Sequence, residues 1–192
     1  MVYPVAVYGH PVWRKVAKDI TPDHDRLSEI IENMWETMYK SDGIGLAAPQ
    51  VNKSIRLFVI DATPLEEDFP ELEGFKKVFI NARIVERLDD EVIHDEGCLS
   101  LPTIREEVKR PSQITIEYLN EDFEPVTETY SGFAARVVQH EYDHIEGILF
   151  TDHLSPLKKR LLKSKLNKIS RGEVDVDYRI LTPIPVMKGK RR

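Results

Sequence analysis

Apolar residues along this chain follow two periods, and the changes between them mark the elements. Leu27, Ile30, Ile31, Met34, Trp35 and Met38 recur at helical spacing, so residues 25–39 read as an amphipathic helix. Asp42, Gly43 and Gly45 break it. Ile55-Arg-Leu-Phe-Val-Ile60 is a near-continuous apolar run of strand length, and Val78-Phe-Ile80 centres a second strand over 77–87. Residues 114–119 alternate Ile, Thr, Ile, Glu, Tyr, Leu, and 126–130 follow a turn as their antiparallel partner. Ser131 is placed to cap a helix over 133–146 that Gly147 ends. A last helix over 157–169 stops near Gly172, with Leu161, Leu162 and Leu166 expected to pack inward. The acidic stretch 63–74, with Pro64 and Pro70, reads as a surface loop. Strands segregated from helices predict an α+β fold: antiparallel sheets around the 133–146 helix, with a C-terminal helix.

Composition narrows the class. Of 192 residues, 41% are hydrophobic and 31% charged, enough for a packed core in a water-soluble domain. The expected organisation is one domain over residues 1–170 and a basic tail over 171–192. No apolar run approaches the ~20 residues that span a bilayer, so no membrane partner is expected. The opening residues lack a basic start followed by a long apolar stretch, and Pro4 interrupts the candidate, so no signal peptide is expected. Cys98 is the only cysteine, which excludes an internal disulfide and points to a reducing, cytoplasmic compartment. Residues 158–192 carry twelve basic and three acidic side chains, net +9, against fifteen basic and thirty acidic elsewhere, net −15. Such a split suits an anionic partner for the C-terminal region, and it equally suits a solvated helix face with a frayed end.

The chemistry centres on His140-Glu141-Tyr142-Asp143-His144. Positions i and i+4 of a helix share one face, so both imidazoles can reach one metal ion, with Glu141 placed to act on water there. Phe133, Val137, His140 and His144 form one stripe that should face inward. A catalytic metal site needs a third protein ligand. Continuation to a third histidine fails because Phe150 stands in its place. Glu173 has the shape of a glutamate ligand but sits in an alternating stretch that does not look helical. Cys98 remains: its thiolate suits zinc or ferrous iron, and Gly97 before it lets the backbone approach an ion closely.

Three motifs then carry a family resemblance. Gly43-Ile-Gly-Leu-Ala-Ala-Pro-Gln50, Glu96-Gly-Cys-Leu-Ser-Leu-Pro102 and Gln139-His-Glu-Tyr-Asp-His-Ile-Glu-Gly147 resemble the signature motifs of peptide deformylases, in that family's order. Tyr8-Gly-His-Pro-Val-Trp-Arg14 is similar to the family's opening, and the likeness spans about residues 3–170. Ile145 departs from the usual leucine, while the 63–74 loop and the chain from Arg171 have no clear counterpart.

The resemblance implies a metal-dependent hydrolase that removes the N-formyl group from the first methionine of nascent peptides. It implies ferrous iron held by Cys98, His140 and His144, with zinc or nickel able to replace it. It implies Glu141 as proton carrier, and Gln50 and the Leu99 backbone N–H as oxyanion donors. It further implies that the substrate peptide adds as a strand along Gly43 and Gly45. Ile44, Leu99, Phe133 and Val137 are expected around the methionine side chain, and Arg105 as a surface arginine near the peptide's path. Arg136 and Asp143 are candidates to orient the site.

Two other readings stay open at the level of sequence. One is an HExxH peptidase that takes Glu173 as its third ligand. The other is a non-catalytic module that binds RNA or the ribosome through the basic C-terminal region.

Overall fold

The structure is a computed structural model that describes residues 1–88 and 90–183. Its strands are β1 (Val5–Ala6), β2 (Gly45–Ala47), β3 (Leu57–Asp61), β4 (Lys76–Arg87), β5 (Glu91–Gly97), β6 (Arg105–Pro111), β7 (Gln113–Leu119), β8 (Pro125–Ser131) and β9 (Ile180–Leu181). Its helices are α1 (Leu27–Lys40), α2 (Gly132–Ile145) and α3 (Pro156–Ser170). A five-stranded antiparallel sheet runs in the order β2-β3-β4-β7-β8; β5 pairs with β6, and β1 pairs in parallel with β9. The fold is α+β, as the segregated pattern predicts.

The unbroken apolar run of β3 has a geometric cause. Alternate side chains of a strand point to opposite faces. Phe58 and Ile60 join a core formed with α2 through Ala134, Ala135, Val138, Tyr142 and Ile145. Leu57 and Val59 join a second core formed with α1 through Ile30, Ile31, Met34 and Met38. The sheet is therefore sandwiched between α1 and α2, and β3 has no wet face on which to place a polar residue.

β4 bends at a bulge where its register with β7 shifts between Ile80 and Arg83. Asn81 occupies the bulge at φ 53°, a left-handed conformation that asparagine tolerates. Its amide exchanges two hydrogen bonds with the Ile20 backbone, at 2.9 and 2.8 Å. These bonds tie the N-terminal segment to the sheet.

The helix termini show one departure from the sequence reading. Ser131 is the residue preceding α2, but its side chain makes no capping bond. The Glu71 carboxylate does so instead, accepting from the Phe133 N–H at 2.9 Å. Glu71 belongs to the 63–74 stretch, which forms two short 3-10 turns rather than a free loop. Phe69 from the same stretch stacks on Phe133 with ring centroids 4.2 Å apart, and Leu72 is buried. At the other end of α2, Gly147 takes φ 75°, and a Cβ there would lie 3.0 Å from the Lys15 carbonyl oxygen. Glycine is required at that stop.

α3 packs through Leu162, Leu166 and Ile169. Leu161 does not pack inward as expected: it is 71% exposed, because it lies on the solvent face of the helix. Residues 171–183, grouped in the sequence reading with the tail, turn back onto the body and add β9 beside β1. Lys188, Lys190, Arg191 and Arg192 lie outside the described residues. No helix among the described residues is long and apolar enough to cross a membrane.

Candidate active site

α2 delivers His140, Glu141 and His144 beside the turn that follows β5, where Cys98 sits. Among the described residues, Cys98, His140 and His144 form a group whose potential ligand atoms all lie within 4.8 Å of one another. Cys98 Sγ is 3.4 Å from His144 Nε2. With Nδ1 protonated, His140 donates to Glu96 Oε2 at 2.8 Å, which leaves Nε2 as the atom it offers to the cluster. A bond of this kind fixes the tautomer and ring direction of a ligating histidine. The ring of Trp13 packs 5.2 Å from that of His144 and restricts its tilt. One thiolate and two imidazoles, converging and oriented in this way, fit a zinc or ferrous ion. Glu173 is not in the group; it is exposed and faces Arg171. Phe150 is buried and stacks against His140, so it packs the site without ligating.

The electrostatics support a deprotonated sulfur. Burial pushes the Cys98 thiol up, but the charges of His144 and His140 and their hydrogen bonds outweigh it and hold the pKa down at about 5. Burial works against a charged His140, yet its bonds to Cys98 and Glu96 raise its pKa. Glu141 is 4% exposed, and its Oε2 has no hydrogen-bond partner among the described residues. Burial dominates there and raises its pKa to about 7, against the opposing pull of His144 and His140. Burying a carboxylate is costly, and a carboxyl so perturbed beside the cluster is a candidate proton-exchanging group.

Behind the cluster lies a buried ionic network that the sequence reading did not find. Glu96 accepts from Arg110 Nε at 2.6 Å and Nη2 at 2.9 Å, and from Arg136 Nη1 at 2.8 Å, besides holding His140. Burial pushes the Glu96 carboxyl up, but Arg110 and His140 hold it well below the usual carboxylate range. Asp143 accepts from Arg110 Nη1 at 2.6 Å and meets His153 at 2.7 Å. Arg136 and Asp143 thus stand where the sequence reading placed orienting groups, whereas Glu96, Arg110 and His153 were missed. The signal was available for Glu96, which lies two residues before Cys98 inside a quoted motif.

A cleft of about 560 Å³ opens over the cluster. Gly43, Ile44, Gly45 and Gln50 line it on the β2 side, Phe133, Val137 and Glu141 on the α2 side, and Gly97, Cys98 and Leu99 at its floor. Gln50 Nε2 points to Cys98 Sγ at 3.6 Å, while its Oε1 accepts from the Ala47 N–H at 2.8 Å. Arg105 lies at the rim, exposed and paired with Asp95 at 2.5 Å. At Gly97 a Cβ would meet the Arg105 guanidinium at 2.9 Å, the far end of a flexible chain.

Gly45 has a stricter cause. A Cβ there would lie 2.7 Å from Glu141 Cδ and closer still to Oε1. Gly45→Ala must push the carboxylate aside or shift the strand, at a cost of about 1–3 kcal/mol. Gly43→Ala should cost less, because its Cβ presses only on the tip of Leu99, at 3.0 Å, and meets the Gly45 carbonyl oxygen and Met38 at an ordinary 3.4 Å. Denaturant unfolding of both variants checks the ranking; equal stabilities would contradict it.

Comparison with known proteins agrees with this geometry. A family model described as polypeptide deformylase matches residues 2–160, leaving residues 161–192 outside the match. The peptide deformylase of Christiangramia forsetii is 54% identical over 190 residues, covering 95% of this chain and 97% of that protein. That of Flavobacterium johnsoniae is 54% identical over 187 residues, covering 94% and 95%. Among solved structures, peptide deformylase from Thermotoga maritima superposes with a TM-score of 0.73 at 42% identity, over 81% of this chain and 99% of its own. The Plasmodium falciparum peptide deformylase gives 0.78 at 36% identity, over 88% and 95%. With a family model across most of its length and close relatives over nearly all of it, the chain belongs to the polypeptide deformylase family.

Proposed function

We propose that Cys98, His140 and His144 hold one divalent metal ion in an enzyme that removes the N-formyl group from the N-terminal methionine of nascent polypeptides, releasing formate. The observation that carries this reading is the convergence of three ligand atoms within 4.8 Å, with the buried Glu141 carboxylate beside them. Ferrous iron is the proposed native ion, with zinc or nickel able to take the same donors. When bound, the ion supplies Lewis acidity, which makes water acidic near neutral pH and polarises a carbonyl. The helix that carries two of the ligands and Glu141 is the functional centre of the fold.

The chain's own residues do the rest. Glu141 accepts the proton of the water that attacks the formyl carbon, then delivers it to the methionine nitrogen as the C–N bond breaks. The products are formate and a free amine. Gln50 Nε2 and the Leu99 N–H are the donors for the oxyanion that develops on the formyl oxygen. Gly43 and Gly45 flank an edge of the five-stranded sheet, since β2 is its outermost strand on that side. A peptide can add there by main-chain hydrogen bonds. Ile44, Leu99, Phe133 and Val137 form the apolar surface for the methionine side chain, and Gly97 borders the same cleft. The test compares formyl-Met-Ala-Ser with its acetyl analogue: the formyl peptide should yield one formate and one free amine per turnover, and the acetyl peptide almost none. Equal cleavage of both, or cleavage of an internal peptide bond, would favour a peptidase.

The same proposal places the enzyme in the cytoplasm, near the ribosome. α3 presents Lys159, Arg160, Lys163, Lys165 and Lys168 to solvent, and a cationic face raises encounter with a phosphate-rich surface. Reversing the charges of Lys159, Lys163 and Lys165 should weaken ribosome co-sedimentation at low salt and leave turnover of a short formyl peptide unchanged. The difference should fade as salt rises. Unchanged sedimentation would reduce this face to a solvated one.

A further inference from the structure

Residues 172–183 have no part in the reaction as described, yet they reach the cleft. β9 pairs with β1 through Val5↔Ile180 and Ala6↔Leu181. The Val5 N–H donates to Arg179 O at 2.8 Å, and the Val7 N–H to Leu181 O at 3.1 Å. Val174 and Ile180 pack on the apolar cluster against which Cys98 also rests. Pro183 crosses Gly9, whose Cβ position lies 3.4 Å from its ring. Between these anchors, Val176 and Tyr178 line the cleft. The Tyr178 hydroxyl donates to the Leu99 carbonyl oxygen at 2.8 Å.

The turn after β5 is therefore held at three successive carbonyls. Cys98 O accepts from the Leu101 N–H at 3.0 Å, within the turn itself. Ser100 O accepts from the Tyr8 N–H at 3.0 Å, from the N-terminal segment. Leu99 O is held by Tyr178, a residue beyond α3 and outside the stretch that the family model matches. The Leu99 N–H lies in the Cys98–Leu99 peptide plane, and that plane is joined to the Leu99–Ser100 plane through the two backbone torsions of Leu99. Catalytic donors lose their advantage when they must reorganise during reaction.

We propose that Tyr178 is a positioning residue: with the Cys98 carbonyl held within the turn, fixing the Leu99–Ser100 peptide restricts rotation about Leu99 and so steadies the Leu99 N–H toward the reacting oxygen. The chain beyond α3 is then part of the active site and not an appendage. This rests on the deformylase reading above.

The test uses the full chain and Tyr178→Phe, which keeps the ring and removes the hydroxyl. On formyl-Met-Ala-Ser, kcat should fall about two- to tenfold, the range expected for one net hydrogen bond, with KM within about twofold. Metal content should be unchanged. Amide hydrogen exchange should rise in the peptide spanning residues 98–101 and stay unchanged elsewhere. An unaltered kcat, or unaltered exchange at 98–101, overturns the proposal. So does a kcat loss accompanied by loss of metal or by a general rise in exchange, which would make Tyr178 merely structural. Wild-type protein that releases no formate would fail the deformylase reading instead, and the exchange arm would still decide whether Tyr178 clamps the turn.

Discussion

Glu141→Gln should leave the protein folded and its metal bound while lowering kcat by about 10²–10⁴-fold, the span of a general acid–base group. Glutamine matches glutamate in shape, so the packing against Gly45, where Glu141 Cδ sits 2.7 Å from the Cβ position, is preserved. What it lacks is a basic oxygen. The native carboxylate is buried, and burial has raised its pKa to about 7, which suits taking and returning a proton near neutrality. The substitution also removes a buried charge, so the unfolding midpoint should stay level or rise. An activity loss under tenfold would remove Glu141 from its role.

Cys98→Ser should weaken metal binding by more than about 100-fold, beyond the 10–100-fold typical of losing an outer partner. The three potential ligand atoms converge within 4.8 Å, and a serine hydroxyl does not ionise to replace the thiolate that the neighbouring histidines favour. Glu173→Gln should bind metal like the wild type, because Glu173 is exposed and lies outside the group. Metal analysis after dialysis distinguishes the two variants. The reverse pattern would restore the peptidase reading that sequence alone left open.

Residues whose environment follows their polarity were legible before the fold was known. β3 announced itself as a run of apolar side chains because both of its faces are covered, and α1 showed its stripe because its buried residues lie on one face; α2 is buried nearly all round, and its polar side chains are the ones that build the site. The metal-capable group was legible because helical spacing brings His140 and His144 together and because Cys98 was the remaining candidate for a third ligand.

The β5–β6 hairpin was not legible, and its interior shows why. The buried positions there include Glu96 and Arg110, which pair with each other, while Val92 and Ile93 are exposed. A pattern that takes charge to mean solvent reads such a hairpin inside out. Glu71 as the cap of α2, and Tyr178 as the holder of Leu99, join residues 62 and 79 positions apart. Neither contact leaves a local trace. β1 and β9 are two residues each, too short for any period to register.

The most direct test is a metal titration read out as formate. Protein stripped of metal by a chelator, then reconstituted with Fe²⁺ in the absence of oxygen, should release no formate from formyl-Met-Ala-Ser before reconstitution. It should recover activity in proportion to added iron, reaching a plateau at one equivalent per chain. Formate release by the stripped protein, or a fully loaded protein that releases none, would contradict the account.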